Sequence, residues 1–92
     1  MMRNVVVSNQ FKKDLEKAKK RNLDLSLLEE VIQKLANDIK LESKYRDHAL
    51  KGKFKGLREC HIKPNWLLIY CADENEVELF LFRTGSHSDV FL

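Results

Sequence analysis

Three strand-like runs follow one another almost without interruption in the C-terminal half of this 92-residue chain, and they limit its possible folds more than any other feature. Residues 57–62 alternate in part, residues 66–72 are almost continuously apolar, and residues 77–83 set Val77, Leu79 and Leu81 against Glu78, Phe80 and Phe82. A side-chain period of two gives such runs a buried face. Lys63-Pro64-Asn65 separates the first pair, and the turn-forming stretch 73–76 separates the second. A parallel pair needs a crossover of a dozen or more residues, so links this short imply consecutive antiparallel pairing.

The N-terminal half reads differently. Residues 4–7, with three successive β-branched valines, form a short first strand. Ser8 then stands where a helix cap would, and Phe11, Leu15 and Ala18 recur at helical spacing between lysines, which predicts a helix to about Lys20. Ser26-Leu27-Leu28-Glu29 has the form of a capping box, and Leu27, Leu28, Val31, Ile32, Leu35 and Ile39 extend the second predicted helix to about Lys40. Residues 41–56 lose all periodicity and are expected to be a long loop, a feature that in a small domain is commonly functional. The expected fold is α+β, in the order β-α-α-β-β-β, with a helical hairpin on a small antiparallel-rich sheet in a single domain spanning residues 1–92.

Composition excludes several classes. An apolar content of 43% beside 34% charged residues fits a folded domain with a solvated surface and not a disordered chain. No stretch approaches the ~20 apolar residues of a membrane span, and the apolar run near the N-terminus is too short for a signal peptide. A cytoplasmic protein without a membrane partner is expected. Cys60 and Cys71, lacking C-x-x-C spacing, are expected to be reduced core thiols. Charge is unevenly divided: residues 44–63 carry a net +5, whereas the chain from residue 64 onward carries −4. Such a concentrated patch can steer a polyanion, although a lysine-rich solvated loop would have the same composition.

The three histidines all lie outside the predicted helices: His48 in the basic loop, His61 near a strand end and His87 in the tail. Imidazole both takes and gives a proton near neutral pH. It therefore suits transesterification at phosphorus, in which one group deprotonates a ribose 2′-hydroxyl and another protonates the leaving 5′-oxygen. Lys51, Lys53, Lys55, Arg58 and Arg83 could supply the charge that such a transition state needs. A zinc site built from histidines and Cys60 is disfavoured, because Cys60 and His61 are adjacent on a strand and point to opposite faces. No metal or other cofactor is expected.

Four segments taken together are more specific: Tyr45-Arg46-Asp47-His48-Ala49-Leu50-Lys51-Gly52, Arg58-Glu59-Cys60-His61-Ile62-Lys63-Pro64, Leu67-Leu68-Ile69-Tyr70, and Arg83-Thr84-Gly85-Ser86-His87-Ser88-Asp89-Val90-Phe91. In this order they resemble the YafQ-type toxins of the RelE/ParE superfamily over nearly the whole chain. The resemblance implies a RelE-like fold and a type II toxin that cleaves mRNA in the ribosomal A site without a metal. It also implies neutralisation by a cognate antitoxin protein. His48, His61 and His87 match the family's motif histidines, Phe91 the aromatic that helps hold a base, and Arg83 opens the tail motif in a position suited to phosphate contact.

Asn65 departs from the pattern, since the family usually carries an aspartate there among its catalytic groups. An amide keeps hydrogen bonding and loses charge and basicity. The chain is then a natural variant in which a histidine alone is the base, a weakened or inactive member, or a deliberately disabled form. Two other readings compete with the ribonuclease: a ParE-like toxin aimed at DNA gyrase, whose relatives generally lack the histidine cluster, and a non-catalytic RNA- or ribosome-binding module.

Overall fold

The protein is described from a computed structural model covering residues 2–72 and 77–91. Its elements run β1 (Asn4–Val7), α1 (Asn9–Lys20), α2 (Leu25–Ala36), β2 (His48–Ala49), β3 (Arg58–Lys63), β4 (Trp66–Ala72), β5 (Glu78–Gly85) and α3 (His87–Phe91). The five strands form one sheet in the order β1-β5-β4-β3-β2. β1 lies parallel to β5, and the other neighbours are antiparallel. The α+β class and the antiparallel succession of the three long strands agree with the sequence. The turn expected at residues 73–76 lies outside the described residues.

The helices start and stop for identifiable reasons. Ser8 caps α1 as expected, its Oγ accepting from the Phe11 amide at 2.9 Å while donating to the Phe82 carbonyl at 2.6 Å. The Ser26 capping box does not form. Asp24 caps α2 instead, accepting from the Ser26 amide at 3.1 Å, so the helix begins earlier than expected. It also ends at Ala36 and not near Lys40: Asp38 turns left-handed at φ 56°, and the Ile39 amide reaches back to the Lys34 carbonyl. This is a Schellman stop with aspartate where glycine is usual, and it leaves Ile39 53% exposed. Asn22, at φ 59°, closes α1 in the same way.

One sheet face is covered by these helices. Phe11, Leu28, Val31 and Leu35 pack with Cys60, Ile62, Trp66, Leu68, Tyr70, Leu79 and Leu81, and each fully buried large side chain stabilises by about 1.5–3 kcal/mol. Cys60 belongs to this core, and burial pushes its thiol up to about 12. Cys71 is only half-buried, contrary to expectation, because the strand alternation turns it away from Tyr70 and the helices. The expected loop at residues 41–56 is ordered as well. It holds two 3₁₀ turns, Ser43–Tyr45 and Gly52–Phe54, with β2 between them. A two-residue strand carries too few positions for any periodicity to show.

Candidate active site

On β3 the same alternation that buries Cys60 and Ile62 turns Glu59 and His61 to the other face. β2 then brings in a third group, because its register places His48 directly opposite Glu59. The three side chains meet: Glu59 Oε1 lies 3.2 Å from His61 Nε2 and 3.5 Å from His48 Nε2. Glu59 is 7% exposed, and a carboxylate this deeply buried is costly without charged or hydrogen-bonded partners. Both partners here are imidazoles. The other nitrogen of each ring also faces an acceptor, His61 Nδ1 toward the Pro64 carbonyl at 3.3 Å and His48 Nδ1 donating to the Arg46 carbonyl at 2.7 Å. A proton on any of these four nitrogens therefore meets an acceptor, as a proton-handling site requires.

β2 is held in place from beneath. Tyr70 donates its hydroxyl to Asp47 Oδ1, and Arg58 Nε adds a contact at 3.3 Å to the same oxygen. Asp47 thus ties the residue before His48 to β3 and β4. Burial and the adjacent Asp47 carboxylate push the Tyr70 hydroxyl above its usual range, which keeps it a donor. Arg46 adopts a left-handed conformation at φ 51°, and this turn presents the carbonyl that His48 meets.

The second half of the site comes from β5 and α3. His61 pairs with Leu67, and Leu67 with Gly85, so His61 and Gly85 share one row of the sheet, ~10 Å apart across β4. Immediately beyond Gly85, Ser86 and Asp89 form a reciprocal cap: Ser86 Oγ accepts from the Asp89 amide, and Asp89 Oδ2 accepts from the Ser86 amide at 2.9 Å. α3 then carries His87 and Phe91 on one side, with ring centroids 4.8 Å apart. Phe54, in the second 3₁₀ turn, meets Phe91 edge-on at 5.2 Å. This contact joins the basic segment to the tail.

The sequence-derived residues therefore fall into groups. His48 and His61 converge on Glu59, whereas His87 and Phe91 stand together beyond β5. Lys51, Lys53 and Lys55 are exposed around the Phe54 turn. Asn65 is exposed on the two-residue turn between β3 and β4. Arg58 shares the helix-side face with Cys60 and is engaged by Asp47. Arg83 is likewise engaged, gripping Asp14 of α1 through Nε at 2.8 Å and Nη2 at 3.2 Å. Sequence reasoning missed Glu59. The available signal was its i, i+2 spacing from His61 on a strand, but it became specific only once β2 placed His48 opposite.

A cleft of about 520 Å³ opens beside His61, lined in part by Leu27, Tyr45, Arg46 and Lys63. Cys60, buried on the helix face, takes no part in this constellation. Among the described residues, no helix is long and apolar enough to cross a membrane.

Comparison with known proteins places the chain as a whole. Residues 3–92 match the family described as the bacterial toxin of type II toxin-antitoxin system, YafQ. The chain is 37% identical to the mRNA interferase toxin YafQ of Escherichia coli strain K12, over 99% of this chain and 98% of that protein. Its fold superimposes on YafQ in the E. coli DinJ-YafQ toxin-antitoxin complex with a TM-score of 0.89 at 35% identity, covering 100% of both chains. A metal-bound toxin from Helicobacter pylori is similar at 46% identity and a TM-score of 0.89, over 99% of this chain and 100% of that one. The chain belongs to the YafQ family of bacterial type II toxin–antitoxin toxins.

Proposed function

We propose that this toxin is an endoribonuclease that cleaves mRNA in the ribosomal A site, by acid–base transesterification carried out by its own side chains. The observation that carries the reading is the buried Glu59 carboxylate in contact with two imidazoles on an accessible sheet face. A base from this cluster takes the proton of the 2′-hydroxyl, whose oxygen attacks phosphorus and forms a 2′,3′-cyclic phosphate. His87, on the far side of β4, gives a proton to the departing 5′-oxygen. Phe91 supports a base by stacking, worth ~1–3 kcal/mol. Lys51, Lys53 and Lys55 hold the phosphates on either side, and Arg58 and Arg83 act by fixing β2 and α3. With Asn65 in the aspartate's place, Glu59 supplies the carboxylate that the turn lacks, at reduced activity.

The site lies in one domain comprising residues 1–92, acting in the cytoplasm, where its substrate is. The relative solved as a complex with an antitoxin supports a cognate antitoxin for this chain too. An acidic partner segment laid over residues 44–63 would mask the lysines, and added antitoxin is expected to abolish cleavage near stoichiometric ratio. The deciding experiment is cleavage of an mRNA under translation in a purified ribosomal system, with primer extension mapping the ends. Codon-aligned cuts that require ribosomes support the reading. Intact ribosome binding without any cut would favour a binding module.

A further inference from the structure

α3 is five residues long, far below the length at which a helix holds itself in water, yet it carries both His87 and Phe91. Its attachment converges on one carboxylate. Asp89 accepts from Arg21 Nη1 at 2.7 Å and from Lys17 Nζ at 3.0 Å, the first from the C-cap residue of α1 and the second from its last turn, while Oδ2 also receives the Ser86 amide. Its own carbonyl accepts from Arg83 Nη2 at 3.2 Å, and Arg83 is in turn clamped to Asp14 of α1. The Asp89 side chain is 15% exposed, whereas Lys17 and Arg21 are 54% and 45% exposed. The adjoining Arg21 guanidinium, the Ser86 amide and Lys17 hold its carboxyl well below the usual carboxylate range.

Gly85 fits the same device. Its φ of 152° disfavours a side chain, and a Cβ there would come within 3.0 Å of Asp89 Cβ and 3.1 Å of Oδ2. A glycine before the cap is thus what allows the carboxylate to close over the turn. Lys17 in the last turn of α1 and Arg21 at its C-cap are four residues apart, at the helix end where cations are also favoured by the helix dipole.

We propose that Asp89, held by Lys17 of α1 and by Arg21 at its C-cap, is a positioning residue that fixes His87 and Phe91 over the site, making the C-terminal end of the basic helix a working part of the catalytic apparatus and not merely a solvated face. The catalytic half of this statement rests on the ribonuclease reading above; the anchoring half does not. The test is the Lys17→Ala/Arg21→Ala double variant, which leaves the Ser86–Asp89 cap intact, with Asp89→Glu and Lys17→Arg/Arg21→Lys as conservative controls. Proton NMR of the full chain reads the His87–Phe91 ring contact and the exchange of α3 amides, and the ribosomal assay reads kcat and KM separately.

The double variant is expected to lose the ring contact, to exchange α3 amides faster, and to lower kcat by between about tenfold and a hundredfold. KM is expected to stay close to wild type, the melting temperature to fall by no more than in Asp89→Asn, and both controls to restore kcat. Unchanged α3 exchange and ring contact would overturn the anchoring. A loosened α3 with unchanged kcat would overturn the positioning role, as would a kcat loss that neither control restores. Absence of cleavage by the wild-type protein would sink the ribonuclease reading while the NMR measurements still decide the anchoring.

Discussion

The two halves of the site are built by different physics. His48, Glu59 and His61 ride on strands whose backbone is hydrogen-bonded to the sheet and whose reverse face is the core. His87 and Phe91 ride on a helix too short to stand alone, tied down by Asp89, the clamped Arg83 and the Phe54 contact. The first half inherits the rigidity of the fold, whereas the second depends on exposed ion pairs that salt screens. A reaction needing one group from each half is then limited by the looser one.

The largest effects should come from removing the proposed proton carriers themselves. His61→Ala and His87→Ala are each expected to reduce cleavage by roughly 10²–10⁴-fold with ribosome binding retained, the range for a lost general acid or base. If His87→Ala alone were nearly silent, the two halves would not share the reaction. Glu59→Gln should come next, at about a hundredfold, since it removes a preorganised charge from the imidazoles without changing side-chain volume. Single-turnover cleavage of ribosome-bound mRNA measures both. A Glu59→Gln variant as active as wild type would reduce that carboxylate to a packing group.

The same contrast explains what could be read before the structure. β3, β4 and β5 were legible because alternation and tight links are local signals, and Ser8 was legible because its cap precedes a long periodic helix. α2 was misjudged at both ends: Asp24 outcompeted Ser26 for the cap, and Asp38 stopped the helix without the glycine that usually marks such a stop. β2 left no pattern, and with it went Glu59, whose meaning depends on a cross-strand neighbour eleven residues away. The histidines and Phe91 were visible through the motif resemblance. That Arg83 grips Asp14 was not, because a contact spanning 69 residues has no local trace.

Acid separates the halves in a third way. Asp89 is held below its ordinary range, so its contribution to stability is fully present above the unfolded carboxylate value of about 3.9 and fades as pH falls through the lower folded-state value. Asp89→Asn lacks that contribution at every pH. The melting-temperature gap between wild type and Asp89→Asn is therefore expected to be constant from pH 7 to about pH 5 and to shrink below about pH 4. Thermal unfolding followed by circular dichroism across this range checks it. A gap that stays constant into strong acid would show that the carboxylate's charge is not what ties α3 to α1.

The smallest effect belongs to Asn65, and its size follows from where it stands. The side chain is exposed on the turn after Pro64, whose carbonyl already faces His61 Nδ1. A carboxylate introduced there would attract a protonated imidazole through solvent, an interaction worth about 0–1 kcal/mol, or at most about fivefold in rate. Asn65→Asp is thus expected to raise cleavage by up to that factor, and by more in Glu59→Gln than in the wild-type background, because the two carboxylates would serve the same ring. Rates of the four proteins in one double-mutant cycle measure the coupling. Equal gains in both backgrounds would mean that Glu59 and position 65 act on different steps, and a gain far above fivefold would mean that the turn moves inward when the substrate binds.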